Sequence, residues 1–136
     1  MKAEVKWIGE EMFAGISESG HTIVLDANGG KLAPSPLENV LLSLGGCSSV
    51  DVVSILQKAR QGIDGCVVEI NGTRIDTVPK LFSDIHLHFK ITGKNVAEKH
   101  VERAVALSAD KYCSVALMLN KAVNITHDFS IIESTK

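Results

Sequence analysis

Between Leu81 and Thr92 the chain reads LFSDIHLHFKIT, with Ile85, Leu87, Phe89 and Ile91 alternating against Asp84, His86, His88, Lys90 and Thr92. Successive side chains of a β-strand point to opposite faces, so this run has one face for a core and one for water. A second segment obeys a different period. Leu37, Val40, Leu41, Leu44, Cys47 or Ser48, Val52, Ile55 and Leu56 recur at helical spacing, which predicts a long helix from about Pro36 to Arg60. Ser35 is placed to cap it, Pro36 suits its first position, and Glu38 completes a capping box with Ser35. Gly62 and Gly65 end it. A half-buried strand and a helix with an apolar face each need a partner layer, so helix must stack on sheet.

The remaining segments fill in around these two. The first 26 residues hold three short strand patterns, EVKWI, MFAGISE and HTIVLD, and predict an antiparallel meander. ANGGKLAPSP is a turn cluster, and CVVEINGTRI places Cys66, Val68 and Ile70 on one side of a strand. After Gly93, with Asn95 as its expected cap, Ala97, Val101, Ala104, Val105 and Ser108 mark a helix. ADKYCSVALMLNKA continues as a second helical stretch carrying Cys113, and a last strand runs from about Val123 to Ile132 with His127 in its apolar register. Strands and helices come in blocks rather than in strict alternation, so the expected class is α+β with largely antiparallel sheet. At 136 residues and 45% hydrophobic, a single domain over 1–136 is expected.

A net charge of -2 with scattered lysines offers no footprint for nucleic acid or an anionic membrane. The opening MKAEVKWIGEEM lacks a basic patch followed by an apolar run, and no segment holds the ~20 continuous apolar residues of a spanning helix. A soluble, cytoplasmic protein is the expectation. No glycine-rich phosphate loop follows a strand and no ligand cluster is visible, so neither cofactor nor metal is implied. His86 and His88 share a strand face with no third ligand at useful spacing, as on a solvated face. Trp7 reads as an inward strand residue or a dimer contact.

Three cysteines, Cys47, Cys66 and Cys113, are odd in number and widely spaced, unlike a disulfide framework or a zinc site. Cys66, in step with Val68 and Ile70, reads as a small buried hydrophobe. Cys47 follows Gly45 and Gly46 in LLSLGGCSSVDVV. Each glycine costs a helix interior ~1 kcal/mol relative to alanine, so the pair needs a compensating reason. Bare backbone admits a close neighbour or a small substrate, and it allows a kink. The pattern leaves two readings of Cys47 open, a tight packing site and a catalytic thiol. Cys113 lies on an apolar face near a helix start, where amide donors lower a thiol pKa within the first turn.

PSPLENVLLSLGGCSSVDVV, then LFSDIHLHFKITG, then ERAVALSADKYCSVALMLNKAVNITH resemble, in this order, the OsmC/Ohr family, named for osmotically inducible protein C and organic hydroperoxide resistance. The resemblance covers essentially the whole chain and is nearest to the OsmC-like branch. It implies an α+β OsmC-like fold, with antiparallel sheets and a long central helix, on an intertwined homodimer with active sites at the subunit interface. It further implies a thiol peroxidase. Cys47 matches the cysteine that attacks an organic hydroperoxide, and Cys113 the one that resolves the resulting sulfenic acid as a disulfide. A dithiol reductant, in the family often a lipoyl-bearing protein, resets the pair. Characterised hydroperoxidases support the first thiol with an N-terminal arginine and an upstream glutamate. Glu38 is the candidate glutamate, although the better-studied branch has its acid where this chain has Leu37, and nine helical steps of ~100° set Glu38 about opposite Cys47. Its reading as a capping residue stands beside that one. Asp51, one turn after Cys47, would discourage a thiolate and is expected to face solvent or to be paired. The first arginine is Arg60, so the N-terminal arginine has no match. That departure keeps open a rival of the same fold, a small-molecule binding or redox-sensing protein without turnover, and a third reading with two inert cysteines.

Overall fold

The computed structural model describes residues Met1–Thr135, which fall into two compact units, Met1–Leu42 and the chain from Ser43 on. In the first unit β1 (Ala3–Gly9), β2 (Met12–Ser17) and β3 (Thr22–Asp26) form the expected antiparallel meander. Val5, Gly15 and Ile23 lie side by side in the ladder, as do Trp7, Phe13 and Leu25 two residues along. All therefore share one face of the sheet. Trp7 is not inward: it is 69% exposed, and its indole N–H donates to the Glu10 carbonyl at 2.8 Å.

The turn cluster after β3 is organised by Asp26, whose buried carboxylate accepts the amides of Leu32 at 2.7 Å and Asn28 at 2.6 Å. These bonds, Leu32 foremost, hold its pKa below the usual carboxylate value. The loop delivers the chain to α1 (Pro36–Lys58), which opens on the predicted capping box. The Ser35 amide donates to Glu38 Oε1 at 2.9 Å, and the Glu38 amide donates to Ser35 Oγ at 3.2 Å.

From Ser43 on, the rest of α1 is followed by β4 (Gly62–Arg74), β5 (Phe82–Lys94), α2 (Glu98–Leu107), a π-helical turn (Ser108–Tyr112), α3 (Ser114–Leu119) and β6 (Asn124–Glu133). The sheet order is β4-β5-β6, with β4 and β5 antiparallel but β5 and β6 parallel. Of the four strand pairings three are antiparallel, as expected, and the parallel β5–β6 pair makes this second sheet mixed. The helical segment between β5 and β6 carries the chain back to the same end, which parallel pairing requires. The alternation of β5 is realised in full: Ile85, Leu87, Phe89 and Ile91 are buried with Leu44, Val52 and Leu56 of α1 and Val101, Ala104 and Val105 of α2. By length and composition α1 is apolar enough to cross a membrane; it carries Asp51, and Leu44, Val52 and Leu56 are the apolar side chains it buries in this core.

Two local expectations are corrected. Asn95 does not cap α2; it sits in a left-handed turn (φ 53°) with its amide on the Glu133 carboxylate, and the N-cap is Ala97, whose amide donates to Gln61 Oε1 at 2.8 Å. His127 keeps its ladder place beside Leu87 but is exposed rather than a core residue, because β6 is an edge strand. On the other face of the sheet, His86 Nε2 and His88 Nδ1 lie 2.9 Å and 2.6 Å from one Asp128 oxygen. His88 and then His86 hold the Asp128 pKa down.

Candidate active site

The two glycines before Cys47 are not equivalent. A Cβ on buried Gly45 would run into the Cδ1 methyl of Ile70, so this glycine lets α1 sit close against β4. Gly46 is exposed, and a Cβ there would meet nothing within 4 Å. Only the second glycine faces open space; the first is a packing device. Cys47 itself is half-buried, while its neighbour Ser48 is the buried one. The spacing had left Cys47 and Ser48 as alternatives for the inward position.

Cys113 lies on no continuous helical face. The last turn of α2 widens into the π-helical turn, and Cys113 then adopts an extended conformation (φ -74°, ψ 103°) before α3 begins. Its amide donates to the Ser108 carbonyl at 2.8 Å, which secures the break. The side chain becomes the N-cap of α3: Cys113 Sγ accepts the Ala116 amide at 3.4 Å and the Ser48 hydroxyl at 3.5 Å. Helix N-caps accept such amides because the first turn has no carbonyl to use them.

This junction brings Cys47 and Cys113 together. Both are free thiols, and Cys47 is among the groups that act on the Cys113 thiol. Cys113 is fully buried, and burial is the main cause that pushes its thiol up; the Ser48 hydroxyl and Ala116 amide oppose the rise, and Cys47 adds to it. Cys66 stays half-buried on β4, its thiol also raised by burial. Asp51 is paired: its Oδ2 accepts the Ser108 hydroxyl at 3.0 Å, tying α1 to the end of α2. Ser48 and Ser108, both buried, are the site residues that the sequence did not flag. A serine at a helical core position carries no signal of its partner until the π-helical turn is known.

The groups acting on Cys113 include no lysine or arginine. Arg74 Nε donates to the Lys80 carbonyl at 2.6 Å, Lys111 lies over the Tyr112 ring at 5.5 Å, and Arg60 sits in a left-handed turn at the end of α1. Glu38 belongs to the first unit, where its carboxylate closes the capping box.

Fold and site together define an α+β protein with a paired-cysteine site, one thiol reachable and the other sealed at a helix junction. The chain belongs to the OsmC-like protein family, which it matches over residues 28–128. It is 54% identical over 132 residues to Protein YhfA of Escherichia coli strain K12, covering 97% of this chain and 98% of that one. A crystal structure of a protein from Aquifex aeolicus is 30% identical with a TM-score of 0.88, covering 98% of this chain and 96% of that one. At 17% identity an organic hydroperoxide resistance protein OsmC from Legionella pneumophila has the same fold, with a TM-score of 0.71 and 95% of each chain covered.

Proposed function

We propose that the protein is a thiol peroxidase that reduces organic hydroperoxides through Cys47 and Cys113. The observation that carries this reading is that the half-buried Cys47 is near enough to the fully buried Cys113 to act on its thiol. The Cys47 thiolate attacks the distal peroxide oxygen, the O–O bond breaks, and the alkoxide takes a proton and leaves as the alcohol. Cys47 is then a sulfenic acid. The Cys113 sulfur attacks that sulfur as its thiol proton passes to the departing hydroxyl, so that water leaves and a disulfide remains. An external dithiol, of the lipoyl type or another, returns the pair to two thiols by exchange. Glu38 acts in this scheme as the cap of α1. We further propose that both units form one domain of a cytoplasmic homodimer. Among the described residues every buried apolar side chain is Leu44 or later, so the meander has no apolar core of its own to hold it.

The test is the intact mass of reduced wild type and Cys113→Ser after one equivalent of cumene hydroperoxide. Wild type should lose two hydrogens, mapped to a Cys47–Cys113 bond, and the variant should hold a trappable sulfenic acid at Cys47. Both proteins staying reduced, under conditions that oxidise a free thiol, would refute it. The first arginine of the chain being Arg60, with no match to the family's N-terminal arginine, favours a second reading, a slow redox sensor. Oxidation that forms the bond without turnover on added dithiol selects that reading.

A further inference from the structure

Two consecutive serines of α1 spend their hydroxyls differently. Ser49 Oγ donates back to the Gly45 carbonyl at 2.7 Å, the usual bond of a serine inside a helix. Ser48 Oγ instead donates across to Cys113 Sγ at 3.5 Å. Thiol sulfur is a weak acceptor, so the bond does little for Ser48 itself. It strengthens if the sulfur becomes negative, because a hydrogen bond to an ionised acceptor is roughly twice as strong as one between neutral groups. Burial pushes the Cys113 thiol up, and the Ser48 hydroxyl is foremost among the groups that oppose the rise.

Packing does not account for the serine. Ser48 is 2% exposed, and a cavity of about 100 Å³ lies against it, walled in part by Leu87, Phe89, Val105 and Ala116. A larger apolar side chain would fill that space, and serine leaves it open. A second tie holds the sulfur in reach. Ser108 Oγ donates to Asp51 Oδ2 at 3.0 Å, and the Ser108 carbonyl accepts the Cys113 amide at 2.8 Å. Ser48 and Asp51 are three residues apart on one face of α1, so the turn that bears Cys113 is held to that face at two points.

We propose that Ser48 is a catalytic residue of disulfide closure, its hydroxyl stabilising the negative charge that develops on the Cys113 sulfur as it attacks Cys47. The role rests on the paired-cysteine reading above and concerns its second step alone. The S–S bond forms, the S–O bond of the Cys47 sulfenic acid breaks, and the thiol proton of Cys113 leaves with the hydroxyl as water. Ser48 keeps its own proton throughout.

Closure can be read without any peroxide. In a Cys66→Ala background, dithiobis(nitrobenzoic acid) reacts with Cys47 and releases one nitrothiobenzoate. Attack by Cys113 on that mixed disulfide then releases a second, at a rate independent of reagent concentration. Ser48→Ala should lower the ratio of the second rate to the first by about threefold or more at neutral pH. A thiol pKa higher by about one, the order of a hydrogen bond to a charged group, costs tenfold in thiolate and returns roughly threefold in nucleophilicity. Ser48→Thr keeps the hydroxyl, and Ser48→Val has the same shape without it, so Ser48→Thr should close about threefold or more faster than Ser48→Val. Ser49→Ala, which loses only the bond to the Gly45 carbonyl, should close like wild type. Thermal melts confirm folding; if either larger variant fails to melt cooperatively, Ser48→Ala against wild type carries the test. Equal ratios for Ser48→Ala and wild type, equal ratios for Ser48→Thr and Ser48→Val, or no second release from wild type overturns the role. If cumene hydroperoxide leaves the protein reduced while closure of the mixed disulfide depends on the hydroxyl, the peroxidase reading falls and the role of Ser48 stands.

Discussion

Gly45 and Gly46 are adjacent in α1, yet a methyl group would mean different things at each. At Gly46 the added Cβ meets open space, so Gly46→Ala should raise stability by about 0.5–1 kcal/mol, the helix-propensity gain. At Gly45 the same gain is opposed by the Ile70 Cδ1 methyl, which must swing away. Gly45→Ala should therefore stabilise less than Gly46→Ala, and Ile70→Val, by removing that methyl, should restore the difference. A double-mutant cycle in urea measures the coupling, which should be at least about 0.5 kcal/mol; zero coupling would mean that Gly45 is not a packing residue. The sequence shows that two helical glycines need a reason. It does not show that their reasons differ, because the difference lies in which of them faces β4, a strand that starts after the helix has ended. The same holds for the alternative between Cys47 and Ser48, decided only by what each faces.

Among the elements, α1 and β5 were legible because each repeats its period over many residues, and a long pattern outweighs local exceptions. The junction around Cys113 was not, since a π-helical turn adds a residue to the helical step without any change in composition. Apolar spacing across ADKYCSVALML therefore reads as one helix when the chain makes a turn, a break and a second short helix. Two further elements make sharp predictions. Gly93 in β5 is buried, and a Cβ there would strike the Gly62 carbonyl, the Ile63 backbone and Val96. Backbone cannot step aside as a side-chain methyl can, so Gly93→Ala should cost about 1–3 kcal/mol in urea unfolding, well beyond any effect at Gly45. The loop after β3 depends on ionised Asp26. Its folded pKa lies below its unfolded value, so its stabilisation is complete above about pH 4 and is lost as pH falls through the lower, folded value. Wild type should melt higher than Asp26→Asn at neutral pH, and the gap should close as the pH falls below about 4. A gap independent of pH would show that the carboxylate charge does not organise the loop.

At the scale of the whole molecule, the meander poses a problem that the protomer does not solve. Val5, Trp7 and Ile23 share one face of β1–β3, and they are 62%, 69% and 49% exposed. An isolated three-stranded sheet is stable only when an apolar face is covered. A second copy of the chain, as we propose, is the economical cover. The chain contains one tryptophan, so its fluorescence reports on this face alone. In a homodimer that covers it, Trp7 emission should be blue-shifted and poorly quenched by iodide at micromolar protein, and dilution should shift it to the red at the concentration where sedimentation shows dissociation. Val5→Asp, which puts a charge two residues from Trp7 on the same face of β1, should move that midpoint to higher concentration by tenfold or more, since an unpaired charge buried at an interface costs at least about 1.4 kcal/mol. A red, readily quenched Trp7 at every concentration, with a monomer mass in sedimentation, would leave the face open to water. The site would then have to be complete within one chain, and Arg103 and Lys58 would be the first cations to examine for the role of the absent arginine.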